Sequence, residues 1–416
     1  MSHDQGRRVV ALVSGSHFVN HAYLVVLAPL VGVLASEFGV GIGAIGLAIG
    51  VQNAVVLSLQ LPFGYVSDTR SRTLVLAISL VVGTAGVAAT ALAPSYEWLL
   101  AAQVLLGVGI AGHHPAHYPL LAVASSDATR GRAYSAHAFG GSVGFAAPYA
   151  VVAATSALSL SWRVAVGVVA AVGALYTVVS LALFRGVGDE ITRPAPEDRE
   201  TERPTLRSVP GRVAGVCRAL VSSRGILGLT VLAFLTSAAA WCIRTYTPEL
   251  LTAGYGVDGG TANLLVSAML VVGAGLIIFG GSLTDRVGPP TVVYGGYAAL
   301  AVIAATLATL SLPLAALALV LPFSGTISLS RPARSTLADR FSARSDLGKN
   351  FALVTIGISL GGTVAPPAFG YLIDLSGVAA AFGVVSGIAL VSIVVVRLTL
   401  RTAPATVTAA APAGDD

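Results

Sequence analysis

Apolar positions in this chain do not alternate with polar ones over short strands. They run in blocks of roughly 20 residues, the length that crosses a bilayer core, with brief polar breaks between them. The blocks predict spans near 9–35, 42–66, 73–93, 97–124, 133–157, 162–185, 226–251, 258–283, 290–311, 313–337, 349–373 and 378–400. Lipid offers no water to a backbone N–H or C=O, so each block must satisfy its polar groups internally and is expected as a helix. The fold class read from the pattern is an all-α membrane protein of about twelve transmembrane helices. The first block follows Arg7 and Arg8 as a signal peptide would, but eleven further spans favour a retained first helix.

The blocks repeat at an offset of 217 residues. Phe38-Gly39-Val40 returns as Tyr255-Gly256-Val257, Gly64 and Asp68 as Gly281 and Asp285, and Pro115-Ala116 as Pro332-Ala333. Gly131-Arg132 returns as Gly348-Lys349, and Ser142 with Gly144 as Ser359 with Gly361. No insertion is needed along this register. The expected organisation is a six-helix half over 1–185, a linker over 186–224, a second six-helix half over 225–401 and a disordered tail over 402–416. The linker mixes Arg193, Arg199, Arg203 and Arg207 with Asp189, Glu190, Glu197, Asp198, Glu200 and Glu202, and holds three prolines. That composition reads as a solvated connector. Val209, Val213, Val216 and Leu220 recur near its end at helical spacing, as an interfacial helix would.

Charge then sets the orientation. Only 10% of the 416 residues are charged and 55% are apolar, against about 25% charged in a soluble domain. Arg70, Arg72, Arg130, Arg132, Arg286, Arg340 and Lys349 fall on the loops of one side, and Arg163 stands alone on the other. By the positive-inside bias both termini are expected in the cytoplasm, with the chain in the plasma membrane. The pI of about 9.4 follows from this bias. No solvated stretch interleaves basic and aromatic residues, so no nucleic-acid partner is expected. Two cysteines, Cys217 and Cys242, cannot build a disulfide framework or a metal cluster.

Two parallel six-helix repeats joined by a long cytoplasmic loop resemble the major facilitator superfamily. Gly64-Tyr65-Val66-Ser67-Asp68-Thr69-Arg70-Ser71-Arg72 resembles that family's signature after its second helix, and Gly281-Ser282-Leu283-Thr284-Asp285-Arg286 is the second copy. The resemblance implies a gate in which Gly64, Asp68, Arg70, Arg72, Gly281, Asp285 and Arg286 latch the cytoplasmic side. Glycine permits close helix approach, and an aspartate at a helix end can pair with arginine or cap a neighbouring helix. A structural tight turn is the plainer reading. Within the superfamily, residues 14–150 resemble the fosmidomycin-resistance branch. They carry Ser16-His17-Phe18-Val19-Asn20-His21, Gln60, Gly109 with His114-Pro115, and Gly140-Gly141 with Gly144 in that order. The resemblance implies drug export, including an anionic phosphonate, in exchange for protons. The chain departs from the branch at His21 and Ala116, where acids are usual, and at Ala147-Pro148, where glycine-proline is usual.

What replaces those acids is histidine. Ionisable groups within spans are costly and usually face a cavity. His17, Asn20 and His21 share one face of the first span by their i, i+3, i+4 spacing. Gln103, Gly107, His114, His117 and Tyr118 line up along the fourth, and His137 lies in the fifth. The family resemblance implies that spans one, four, seven and ten line the cavity. The seventh carries Ser237, Trp241, Arg244 and Pro248; the tenth carries Ser324, Ser328, Arg331, Arg334 and Ser335. His114 and His117 are the repeat-mates of Arg331 and Arg334. Arginine keeps its charge and offers a planar fork to carboxylate, phosphate or phosphonate. The expected substrate site is therefore His17, Asn20, His21, His114, His117, Tyr118, Trp241, Arg244, Arg331 and Arg334. His21 and His114 are its expected proton carriers. Snorkelling to headgroups remains open for the arginines, and interhelical hydrogen bonding for the histidines. Zinc is a third possibility at His113, His114 and His117, weakened because adjacent helical residues point to different faces; no metal or cofactor is expected.

The sequence thus points to a monomeric secondary transporter of a small, anionic organic solute or drug, working by alternating access and proton-coupled export. Anion uptake is the alternative within transport, and a non-transporting sensor of the same fold is the alternative outside it. No nucleophile with its base and no Walker loop appears, so no enzyme is expected. Orientation is testable directly: in sealed right-side-out cells, a membrane-impermeant thiol reagent should leave Cys217 unlabelled until the cells are opened. Ready labelling in intact cells would invert the topology.

Overall fold

The computed structural model describes residues 3–194, 223–342 and 347–402. Most of the 186–224 linker, Cys217 and the tail beyond residue 402 lie outside them. Among the described residues the secondary structure is helical throughout. Eleven helices are long and apolar enough to cross a membrane. The last is α15 (Leu347–Arg401), interrupted at Gly377, where φ is 80° and ψ is 166°. Only glycine adopts that conformation without strain, and the break divides α15 at the point where the pattern separates 349–373 from 378–400. Among the described residues the spans therefore number twelve.

Several spans are broken helices, and proline accounts for the breaks. The first span runs as α1 (His3–Leu24), a 3-10 turn at Ala28–Leu30 and α2 (Val31–Phe38). Pro29, buried in that turn, has no N–H to continue the ladder. The fourth span is α5 (Tyr96–Ala111) followed by α6 (His113–Ala124), hinged at Gly112. Pro115 cannot donate to the carbonyl four residues back, so the turn there is interrupted. The tenth span passes from α13 (Leu314–Val320) through a 3-10 turn, Leu321–Gly325, into α14 (Thr326–Arg340). The remaining long helices are α3 (Ile42–Thr69), α4 (Arg72–Ala91), α7 (Asp127–Ala157), α8 (Trp162–Phe184), α10 (Arg224–Glu249), α11 (Gly259–Val287) and α12 (Pro289–Ala308). A short helix, α9 (Asp189–Thr192), follows the sixth span.

Polar chemistry marks the helix ends. Ser71 caps α4 by accepting from the Leu74 N–H at 3.1 Å, while Gly288 with positive φ and Pro289 at the first turn start α12. Ser126 and Thr129 form a capping box on α7. Asp258, before α11, accepts from the Thr261 N–H at 2.9 Å. Hydrogen bonds from Thr261 hold its carboxyl below the usual range. Arg163 pairs with Glu37 at 2.7 Å; both side chains are exposed, so the pair contributes little stability.

The chain divides into two compact units, Met1–Glu202 with Thr245–Val271, and Arg203–Arg244 with Val272–Asp416. In the first, Val9, Val13, Val75, Leu76, Leu80, Leu120 and Leu121 form an apolar core, and Asn263 donates to the Pro29 carbonyl at 3.2 Å. In the second, Ile226, Leu229, Leu232, Val292, Val293, Leu337, Leu353 and Val396 do the same. Each unit contains a seam of glycines where two helices touch backbone to backbone. A Cβ at Gly140 would meet the Ser14 carbonyl, and one at Gly144 the Phe18 carbonyl, so α7 lies directly on α1. Their repeat-mates pack on α10: a Cβ at Gly357 would meet the Thr230 carbonyl, and one at Gly361 the Ser237 side chain and the Phe234 carbonyl. With lipid as apolar as leucine, such close packing is what holds membrane helices together. Replacing Gly144 with valine should force α7 off α1 at a cost of about 1–3 kcal/mol. It should lower the detergent-solubilised melting temperature, whereas a valine at exposed Gly387, where a Cβ meets nothing within 4 Å, should not; equal melting would remove the seam's role.

Candidate functional site

The α1–α7 seam carries the site. Where α7 lies against α1, two of its backbone carbonyls come within reach of imidazoles on α1. His17 Nδ1 lies 2.7 Å from the His137 carbonyl oxygen, and His21 Nδ1 lies 2.9 Å from that of Gly141. A carbonyl only accepts, so both Nδ1 atoms carry hydrogen and donate. That fixes the tautomer of each ring in its neutral form, with a lone pair on each Nε2. The two Nε2 atoms face one another at 2.9 Å.

The fourth span closes the other side. Its hinge at Gly112 brings three histidines of α6 towards α1. His113 and His114 stack with ring centroids 3.9 Å apart, and His113 lies 4.8 Å from His17. Neighbours on a helix ordinarily point to different faces, yet the His113 and His114 rings stack here, at the first turn of α6. His113 is buried, and its Nε2 has no hydrogen-bond partner among the described residues. Ligand nitrogens of His17, His21, His113 and His114 all lie within 4.8 Å of one another, and so do those of His113, His117 and His137. His117 Nε2 meets Ser16 Oγ at 2.9 Å, and its Nδ1 meets His137 Nε2 at 3.1 Å. Six of the seven histidines in the chain thus form one nest.

Other expected site residues are placed variously. Asn20 is buried, with its amide nitrogen 3.5 Å from Ser79 Oγ. Tyr118 is exposed and stacks 5.5 Å from His114 at the edge of the nest. Gln103 turns away from the nest and donates to Thr90 Oγ1 at 2.9 Å, joining α5 to α4. In the second unit, Arg334 is half-buried and its Nη1 donates to Thr236 Oγ1 of α10. The Arg244 guanidinium lies 5.2 Å from the buried Trp241 ring, within reach of a cation–π interaction. Arg331 is exposed.

At the signature segments, Asp68, Arg70, Asp285 and Arg286 are exposed and Gly64, Arg72 and Gly281 are half-exposed. Arg72 Nη1 donates to the Ile191 carbonyl at 2.9 Å, and Ser67 Oγ to the Pro115 carbonyl at 2.8 Å. The first signature is therefore tied to the start of the linker and to the fourth span. The sequence gives His137 no site role and His113 only a part in the disfavoured zinc option. The i, i+4 spacing of His113 and His117 was the available signal; the hinge that aims them at α1 was not visible.

Comparison with known proteins agrees with this architecture. The Major Facilitator Superfamily profile matches residues 13–248 and 229–415. No curated protein matches the chain. Among solved structures, it is similar to a bacterial homolog of the human lysosomal transporter Spinster in an inward-facing, unoccupied conformation. The TM-score is 0.75 at 17% identity, over 97% of this chain and 98% of that one. The nucleoside transporter NupG matches with a TM-score of 0.76 at 13% identity, over 94% and 99% of the two chains. A peptide transporter, POT, in complex with sulfate matches at 0.70 and 16%, over 95% of each chain. Identities this low speak to the fold alone, but the family profile spans nearly the whole chain. Twelve spans in two repeats, glycine seams at matching positions and that profile lead to one conclusion: the chain belongs to the Major Facilitator Superfamily, and its work is transport, not catalysis.

Proposed function

We propose that the chain exports a small solute bearing an anionic group, by alternating access, with a cation held in the histidine nest as its coupling partner. The observation that carries this reading is the chemistry at repeat-mate positions. His114 and His117 occupy in the first half the places that Arg331 and Arg334 occupy in the second. Imidazole lone pairs suit a cation, and permanently charged guanidinium groups within a span suit an anion. The sequence expectation for the cation is a proton. The outward direction follows the resemblance of residues 14–150 to the fosmidomycin-resistance branch. In this reading the protein is a plasma-membrane monomer with cytoplasmic termini, and halves 1–185 and 225–401 rock about the linker.

Proteoliposomes loaded with a panel of labelled carboxylates, phosphates and phosphonates test the anion. Arg334→Gln and Arg244→Gln should each slow efflux of the transported compound about tenfold or more, the loss expected from removing a charged hydrogen bond of about 1.5–3 kcal/mol. Lysine should restore only part, since it keeps the charge and loses the fork. Wild-type rates in both glutamine variants, or a cationic substrate, would defeat the anion reading.

The signature aspartates act as the latch in the same scheme. Asp68→Asn and Asp285→Asn should slow exchange while leaving equilibrium binding of the solute largely intact, because the change alters the balance of states and not the cavity. Unchanged turnover in the double variant would reduce the segments to structural turns.

A further inference from the structure

We propose that the histidine nest is a transition-metal site, taking one divalent ion of the zinc class through His17 and His21 with His113 and His114. The inference rests on the reading of the nest as a cation site and names the cation. His17 and His21 each spend their Nδ1–H on a backbone carbonyl, which leaves two lone pairs pointed at each other at 2.9 Å. Two acceptors at that separation repel unless a cation lies between them. A proton would need only those two nitrogens. The site offers more: His113, buried with its Nε2 unpartnered among the described residues, and His114 bring their nitrogens within 4.8 Å of the pair.

Four imidazole nitrogens within 4.8 Å of one another are a coordination set in outline, whose outer members draw in by up to about 1.5 Å when an ion binds. Zinc binds histidine at about 2.0–2.1 Å, which separates two tetrahedral ligands by about 3.3 Å. The His17–His21 pair is a few tenths of an ångström tighter, a gap that small ring rotations open. The outer shell is already built. Ligating histidines usually donate their second N–H to a carbonyl, which fixes tautomer and ring orientation, and both histidines of α1 do so here. The alternative set of His113, His117 and His137 lacks this pressure. Ser16 can donate to His117, and His117 can donate in turn to His137, so neutral rings satisfy that chain. A ligand set made only of imidazole favours zinc, copper(II), nickel or cobalt over magnesium and calcium, which need oxygen ligands.

The test uses the full chain, purified in detergent with any affinity tag removed and stripped with a chelator. Zinc titrated against a chromophoric competitor should bind at one equivalent per chain. Cobalt(II) should give the intense visible bands of a tetrahedral nitrogen site. His17→Gln and His21→Gln should weaken zinc by about tenfold or more while remaining monodisperse. If those variants do not fold, the wild-type cobalt spectrum decides, and octahedral or absent bands overturn the site. Zinc uptake no greater than in a blank, or equal in wild type and variants, also overturns it. Solute efflux distinguishes the two readings. Efflux that still falls in His21→Gln without zinc binding leaves the coupling site standing with a proton in it. Zinc binding without any solute movement keeps the metal site and removes the transport scheme.

Discussion

The contact on which the rest of the first unit depends is the backbone-to-backbone approach of α1 and α7. Gly140 and Gly144 let the two helices meet with no side chain between them. Only at that distance can the carbonyls of His137 and Gly141, which are already inside a helical ladder, accept a second hydrogen bond from an imidazole. An oxygen has two lone pairs, and the helix uses one. The seam therefore does two jobs with one geometry: it packs the helices, and it orients His17 and His21. Separate the helices by the width of a methyl group and both are lost together.

The second unit keeps the seam and changes the chemistry. Gly357 and Gly361 stand at the repeat positions of Gly140 and Gly144, and Ser237 donates to the Ile358 carbonyl at 2.7 Å, the mate of the Gly141 carbonyl. The histidines themselves are not repeated. His17 is matched by Phe234, His21 by Ala238 and His137 by Val354, while His114 and His117 are matched by arginines. Duplication preserved the scaffold that backbone satisfaction in lipid demands. The two sets of polar side chains diverged on it into a nest of neutral imidazoles and a set of fixed positive charges.

This division explains what could be read from the sequence. Span positions, the repeat and the break at Gly377 are written in apolar runs and in residues whose backbone preferences are strong. The i, i+4 pairing of His17 and His21 was legible for the same reason, since both lie on an unbroken stretch of α1. Their partners were not, because a backbone carbonyl leaves no mark on residue type. His113 is harder to place from sequence, because the break at Gly112 and the missing N–H of Pro115 lie on either side of it. Gln103 shares the apparent stripe of the fourth span but lies before the break and bonds to Thr90.

The nest also bears on coupling through what its ligand set omits. His17, His21, His113 and His114 are neutral when they offer lone pairs, and no carboxylate belongs to the set. A cation taken there keeps its whole charge, and isolated charge away from water is strongly penalised. A carboxylate would remove the penalty and hold the ion in every conformation. Imidazoles alone leave the penalty to be met by something that comes and goes. In the proposed scheme a solute with an anionic group meets it, and its departure makes the ion less stable in turn. Each ligand then favours the state that holds the other, and the dependence is reciprocal as linkage requires. Under the proposed function a nest without carboxylates serves coupling, because its affinity for a cation then depends on the anion's presence.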